Sequence, residues 1–279
     1  MKDCYSLNIK GRLLRLEHPL VMGILNVTPD SFFPESRVDA DGIVQRVRNM
    51  LDDGAAIIDV GACSTRPGSV PVAPEVELER LHRALDIIDE NFPDAVVSVD
   101  TFRGDAVREC AARHNVSIIN DVSAFAYDDK MLDAVADAGL PYVLTHSIGD
   151  AGSLPEYGNF IPDVMLFLSK ALWQLRQRGV SDVIVDPGFG FGKSLEQNYA
   201  MMAHLKEFLL LDAPLLVGIS RKSMITKLLG INADEALNGT TALNMAALMG
   251  GAHILRVHDV RAAVETVRLY DALQSSVNL

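Results

Sequence analysis

Polar and charged side chains recur in this sequence where short apolar stretches end. Val21 to Phe33, VMGILNVTPDSFF, passes from an apolar segment to Asn26, Thr28, Asp30 and Ser31. The same change of character occurs at Asp100, Asn120, His146, Asp186 and, in HILRVH, at Arg256 and His258. An unpaired amide or carboxylate is costly inside a barrel, so polar residues at the mouth of an apolar strand suggest ligand contact or loop capping. Taken singly, several have simple explanations. Asp100 could cap a helix, Asn120 and Asp121 could close a turn, Asp186 could end its strand before Pro187, and His146 or His258 could be ordinary satisfied histidines. The recurrence favours a site.

Residues two apart on a strand share a face. Met22, Ile24 and Asn26 therefore align, as do Val96, Ser98 and Asp100, Ile118 and Asn120, and Ile184 and Asp186. Ile254, Arg256 and His258 share the remaining inward face, and an Arg there is credible only near a solvated mouth and facing something anionic. Arg221 and Lys222 open the helical stretch SRKSMITKLL, where cations oppose the helix dipole, so their placement points to a ligand. Two loops have phosphate-binding character. CSTRPGS, Cys63 to Ser69, combines hydroxyls, an Arg, Pro and Gly, and could also be an ordinary polar loop. DPGFGFGKS, Asp186 to Ser194, resembles a phosphate cradle superficially, through its three glycines and Lys193, but lacks Walker spacing.

The elements that must position these residues alternate between strand and helix. After a hairpin over Tyr5 to Leu16, turning at Lys10 and Gly11 and able to plug a barrel, strands are expected from Val21, at Ala55 to Ala62, Ala95 to Asp100 and Ser117 to Asp121. Others follow at Pro141 to His146, Val183 to Asp186, Pro214 to Ser220 and His253 to His258. Helical spacing covers Asp39 to Leu51, Glu75 to Asn91, Arg103 to His114, Lys130 to Ala138, Ile161 to Arg178, Leu195 to Phe208, Ala236 to Met249 and Val260 to Leu273. About eight βα units close a TIM-type (β/α)8 barrel, an α/β fold, here with a short N-terminal β-hairpin. A doubly wound sheet is disfavoured, because NVTPDSFF rather than a glycine-rich fingerprint follows the first barrel strand.

Composition bounds the rest. With 279 residues, 49% of them hydrophobic, and no linker or low-complexity tract, the chain reads as one domain over residues 1–279. A net charge of −12 argues against nucleic-acid and anionic-membrane partners, so an anionic ligand must meet a local basic cluster. Cys4, Cys63 and Cys110 are too few for a disulfide framework and lack metal-ligand spacing, which with no signal-like or membrane-spanning run suggests the cytoplasm.

Taken in order, GILNVTPDSF from Gly23, STRPG from Ser64, SVDT from Ser98, IND from Ile119, DPGFGFGK from Asp186, SRKS from Ser220 and RVHDV from Arg256 resemble the dihydropteroate synthase family, pterin-binding barrel transferases. The landmarks span nearly the whole chain; each alone is weak or moderate, but the ordered set is highly specific. The resemblance implies condensation of 6-hydroxymethyl-7,8-dihydropterin diphosphate with 4-aminobenzoate, giving 7,8-dihydropteroate and pyrophosphate in folate biosynthesis. It also implies Mg²⁺ as cofactor, a homodimer, and competition by sulfonamides for the aminobenzoate site.

By the same resemblance, Asp100, Asn120, Asp186, Phe191, Gly218 and Lys222 form the pterin pocket. Asn26, Arg66, Arg256 and His258 form the diphosphate end, with Asn26 near the metal. Phe33, Thr65, Pro67, Lys222 and Ser223 form the aminobenzoate side. Asp100, Asp186, Lys222 and Arg256 are the expected catalytic residues, with Asp30 as an organiser of closed loops. The sequence departs from the commonest pattern at Phe33 to Arg37, at Cys63 and at Thr145, which bears on loop contacts and pocket packing. A corrinoid-linked methyltransferase of the same barrel group, and a catalytically silent pterin-binding paralogue, are the rival functions.

Overall fold

The computed structural model describes residues 5–27, 36–63, 72–147 and 157–276. Two short strands come first, β1 (Tyr5–Ile9) and β2 (Arg12–Leu16), paired antiparallel. Lys10 and Gly11 between them both take positive φ, 49° and 87°, the backbone a two-residue hairpin turn requires.

The barrel strands follow: β3 (Leu20–Asn26), β4 (Ile57–Gly61), β5 (Val97–Asp100), β6 (Val116–Asp121), β7 (Tyr142–Thr145), β8 (Val183–Asp186), β9 (Leu216–Val217) and β10 (Ile254–Val257). They are parallel and run β8-β7-β6-β5-β4-β3-β10-β9. A Val185–Leu215 bridge, with Val185 N–H donating to Pro214 O at 2.8 Å, joins β8 to the β9 segment and closes the ring. The expected (β/α)8 barrel is therefore the observed one, and the open-sheet alternative is excluded.

Around it lie α1 (Ser36–Asp52), α2 (Pro74–Asn91), α3 (Gly104–Arg113), α4 (Met131–Ala138), α5 (Phe160–Gln177), α6 (Leu195–Ala203), α7 (Ser223–Leu229), α8 (Leu237–Met249) and α9 (Val260–Ser276). Two elements differ from the sequence reading. The helix expected over Leu195 to Phe208 ends at Ala203 and continues as a 3₁₀ turn, Leu205–Leu211, whose threefold repeat buries both Leu205 and Phe208. The strand expected from Pro214 to Ser220 pairs in its ladder only at Leu216 and Val217. Pro214 has no N–H to give, and beyond Gly218 the chain turns out through Ile219 O and Lys222 N–H at 3.1 Å. Among the described residues no helix is long and apolar enough to cross a membrane.

Strand alternation sorts the side chains into two cores. Met22, Ile57, Ile118, Val143, Ile184, Leu216 and Ile254 fill the barrel interior and pack on Leu7 and Leu16 of the hairpin. Their neighbours, among them Val21, Val60, Val99, Ile119, Val185 and Leu255, face the helices. The hairpin thus plugs the end of the barrel opposite the strand C-termini, held by Asn8 N–H to Asp182 Oδ2 at 2.7 Å and Lys10 Nζ to His114 O at 3.2 Å. Replacing Leu16 by Ala removes a buried part of that plug and is expected to lower the unfolding free energy by about 2–5 kcal/mol. Leu13→Ala on the same hairpin, where the side chain is 58% exposed, is expected to change it by less than about 0.5 kcal/mol. Urea unfolding of both variants checks this, and equal effects would show that the hairpin plugs nothing.

Candidate active site

One level of the barrel carries most of the polar residues. Asn26 pairs in register with Gly61, Gly61 with Asp100, and Asp100 with Asn120, so four neighbouring strands bring these residues to the same height. One layer deeper lies Asp59, fully buried, which the sequence reading passed over. Its signal was the alternation Ile57, Asp59, Gly61 inside an otherwise apolar strand.

Arg256 of β10 joins the two carboxylates across the interior. Its Nε donates to Asp59 Oδ2 at 2.6 Å and its Nη2 to Asp100 Oδ2 at 2.5 Å, while Asn120 Nδ2 donates to the same Asp59 oxygen at 3.0 Å. Two carboxylates thus share one guanidinium out of water. Burial pushes the Asp100 carboxyl up to about 7, with Arg256 opposing and the charges of Asp59 and Asp121 adding to the rise. For Arg256 burial acts to lower the pKa, but Asp59, Asp100 and Asp186 together hold it above its ordinary value. Asp59 Oδ1, Ser98 Oγ and Thr145 Oγ1 are buried with no hydrogen-bond partner among the described residues.

The second group lies across the mouth. Asp186 ends β8 and accepts from Gly188 N–H at 2.8 Å; burial raises its pKa, opposed first by Lys222. Lys222 stands at the start of α7, donates from Nζ to Phe189 O at 2.5 Å and sits 4.7 Å from the centre of the Phe191 ring, a cation–π contact. Burial brings its pKa down to about 8 against the pull of Asp186. Gly218 leaves bare backbone between the two cations: a Cβ there would stand 3.7 Å from Arg256 Cβ and 3.9 Å from Lys222 Nζ. Arg221, with φ of 57°, is taken up by Asp259 at 2.9 and 2.6 Å and by Asp234 at 3.3 Å. Of the two adjacent cations in the sequence, therefore, Arg221 is held in an ion pair and only Lys222 belongs to the Asp186 group.

At the outer rim, Asn26 is half-buried, and its Oδ1 and Asp100 Oδ2 would each lie 3.6 Å from a Cβ on Gly61, so both oxygens border the same open backbone. His258 is exposed and bonds through Nδ1 to Ser220 Oγ at 3.1 Å. Ser223, also exposed, is the first residue of α7. Asp30, Phe33, Thr65, Arg66 and Pro67 lie outside the described residues, as do most of the two loops that carry them. No group of three or more His, Cys, Asp or Glu forms a metal-binding cluster among the described residues. Asn26 nonetheless offers an oxygen of the type Mg²⁺ takes, in a site open to the water and phosphate oxygens that usually complete its shell.

The simpler readings of single residues divide. Asp121 does close a turn, accepting from Ser123 N–H, Ser123 Oγ, Phe125 N–H and Tyr142 Oη, each at 2.7 Å. Asp100 caps nothing: α3 has Arg103 at its N-cap position and no side-chain cap, and Gly104 N–H is taken by Asp128 at 2.7 Å. His146 is not a satisfied histidine, since neither ring nitrogen has a partner among the described residues. Burial next to Lys193 brings its pKa down to about 3 and keeps it neutral. Lys193 itself turns away from the mouth, into the loop that carries it.

Comparison with known proteins bears on the family and the fold. Residues 22–258 match the family described as pterin binding enzyme. The dihydropteroate synthase of Escherichia coli K12 is 41% identical over 276 residues, 96% of each chain, and that of Haemophilus influenzae is 36% identical over 96% of this chain and 98% of its own. Among solved structures, Yersinia pestis dihydropteroate synthase with a sulfonamide drug superposes with a TM-score of 0.90 at 37% identity, covering 98% of this chain and all of the other. The Xanthomonas albilineans enzyme with 4-aminobenzoic acid gives 0.88 at 36% identity over 96% and 98%. A buried acid, amide and arginine cluster at the mouth of a closed barrel, and relatives of this similarity over almost the full length, lead to one assignment: the chain belongs to the pterin-binding enzyme family, among its dihydropteroate synthases.

Proposed function

We propose that this chain transfers the pterin methylene of 6-hydroxymethyl-7,8-dihydropterin diphosphate to the amine of 4-aminobenzoate, releasing pyrophosphate. The observation that carries the reading is the Asp59–Arg256–Asp100 cluster facing the Asp186–Lys222 pair across one barrel mouth. Asp100, Asn120 and Asp186 supply the carboxylates and amide that can read the donor and acceptor edge of a flat ring, with Phe191 and Gly218 beside it. Arg256 uses Nε and Nη2 on the two carboxylates, and Nη1 has no partner among the described residues, so it can serve the diphosphate with Arg66 and His258. Phe33, Thr65, Pro67, Lys222 and Ser223 are assigned to the aminobenzoate.

The carbon–oxygen bond to the diphosphate breaks first, and the electron pair leaves with pyrophosphate. The cation left on the pterin methylene is delocalised into the ring, and the ionised carboxylates of Asp100 and Asp186 stabilise it. The arylamine then attacks and loses a proton. An arylamine is already a nucleophile, so positioning and electrostatics carry the rate. Asn26 is the proposed protein ligand of Mg²⁺, which when bound would neutralise charge on the leaving group. The stretches 28–35 and 63–69 are assigned the exclusion of water, with Asp30 as their organiser; Ser36 and Arg37, expected in the first loop, begin α1 instead. We also propose a homodimer, supported by the exposed Leu228, Leu229, Leu237 and Met249 on α7 and α8, together with sulfonamide competition at the aminobenzoate side and a cytoplasmic setting in keeping with a chain of only three cysteines, too few for a disulfide framework.

With both substrates and Mg²⁺, purified protein is expected to form dihydropteroate and pyrophosphate in equal amounts, and EDTA to suppress both. Lys222→Ala is expected to fold and to lose about 10²-fold or more in kcat/KM. Pterin binding without product would instead identify a silent binder. The pH profile follows from the same groups. Asp100 becomes an ionised carboxylate as pH rises through about 7, and Lys222 loses its charge above about 8, so kcat/KM should peak between them. Asp59→Asn removes a negative neighbour that holds the Asp100 pKa up, and should move the acid limb to lower pH. A folded variant whose acid limb stays in place would disconnect that limb from Asp100.

A further inference from the structure

The loop between β8 and α6, residues 187–194, has the glycines and lysine of an anion cradle but is built the other way round. Lys193 is buried, 8% exposed, and its Nζ donates to Gly188 O at 2.8 Å, Phe191 O at 2.9 Å and His146 O at 3.1 Å. An ammonium has three N–H donors, whereas a neutral amine has two and a lone pair. Three carbonyls converging on one nitrogen therefore suit the cation, and they leave it no donor for a phosphate.

The opposite side of the same short loop forms a wall of the site. Phe189 O accepts from Lys222 Nζ, the Phe191 ring lies under that nitrogen, and Gly188 N–H bonds to Asp186. Gly188 and Phe191 thus face both ways, each giving a carbonyl to Lys193 and an amide or a ring to the site. Gly188 takes φ of 75°, and a Cβ there would lie 1.9 Å from His146 O, so the chain just past β7 and the loop are in direct contact where Lys193 joins them. Gly190 N–H to Asn198 Oδ1 at 2.7 Å ties the loop to α6 as well.

We propose that Lys193 is a positioning residue for the transfer reaction: its ammonium holds the 187–194 loop from behind so that Phe189 O and the Phe191 ring seat Lys222 beside Asp186. The inference rests on the reading of Lys222 and Asp186 as the pterin-side pair. The groups facing Lys193 are Asp186 from β8, Lys222 at the N-cap of α7, the neutral His146 just after β7 and the Asn198 amide from α6. Burial brings the Lys193 pKa down to about 7, Asp186 opposing and Lys222 adding to the fall.

Lys193→Met keeps the chain length and removes the charge and all three donors. It is expected to lower kcat/KM about tenfold or more and to shift the alkaline limb of the pH profile by about half a pH unit or more, because Lys222 loses the seat that Phe189 O and the Phe191 ring give it. Lys193→Arg should keep the limb near its wild-type position. A folded Met variant with reduced stability but an unmoved limb and unchanged kcat/KM would reduce Lys193 to a structural staple and overturn the proposal. Since removing a buried cation can prevent folding, the same profile is taken on Lys193→Gln, which keeps two donors; its limb must also move, and an unmoved limb overturns the proposal equally.

Hydrogen exchange of the Gly188 to Phe191 amides tests the holding role without turnover: faster exchange in the variants supports it, unchanged exchange sinks it. Calorimetry of wild-type protein with 6-hydroxymethyl-7,8-dihydropterin separates the two claims. Absence of binding there would remove the pterin reading, and with it the transfer role of Lys193, while the exchange result would still report on the loop.

Discussion

The site depends on a guanidinium shared by two buried carboxylates. Asp59, Asp100 and Arg256 come from three strands and lose water together, and each ion taken from water costs several kcal/mol even after relaxation. Apolar residues of similar size would often be as stable or more so, which makes the cluster poor evidence for stability and good evidence for function. One positive charge cannot satisfy two negative ones out of water. Burial, opposed by Arg256 and reinforced by the charge of Asp59, pushes the Asp100 carboxyl up to about 7, and Asp59 holds the Nε of Arg256 and the amide of Asn120.

That arrangement requires the apolar floor beneath it. The layer of Met22, Ile57, Ile118, Val143, Ile184, Leu216 and Ile254, closed off by Leu7 and Leu16, gives the polar level above it little water on its inner side. Low local polarity then shifts four of these groups toward their neutral forms, Asp100 and Asp186 upward, Lys222 and Lys193 downward, while its three carboxylates hold Arg256 charged. The hairpin closes the far end of the barrel beneath these groups through Leu7 and Leu16.

Strand periodicity made much of this legible before any coordinates. The alternation placed Asn26, Asp100, Asn120, Asp186 and Arg256 on inward faces, and in the structure the first three share one level with Gly61 while the other two stand at the same mouth. What escaped was decided by long-range packing. Asp59 sits mid-strand, so no change of character marked it, and its role exists only because Arg256 comes round from a strand 197 residues away. Lys193 was singled out for the wrong reason: a glycine-rich segment with a lysine carries no information on whether amides or carbonyls turn inward. Arg221 and Lys222 were indistinguishable by position, and the positive φ at Arg221 together with Asp259 separates them.

The 187–194 loop shows why a cation, rather than further backbone pairing, is a reasonable way to build this wall. A tight turn with left-handed glycines cannot pair its carbonyls in a ladder, and a buried carbonyl without a partner costs about as much as a lost hydrogen bond. One ammonium satisfies two of them, Gly188 O and Phe191 O, and His146 O from outside the turn, from a single point. Doing so leaves Phe189 O free to turn outward, where it meets a second ammonium on Lys222. Carbonyl dipoles of one short segment thus lie between two like charges and point to both, which lowers the repulsion that burial would otherwise sharpen. The two lysines can be held close to Asp186 together because the peptide groups between them are shared, and for that reason a change at one should be felt at the other.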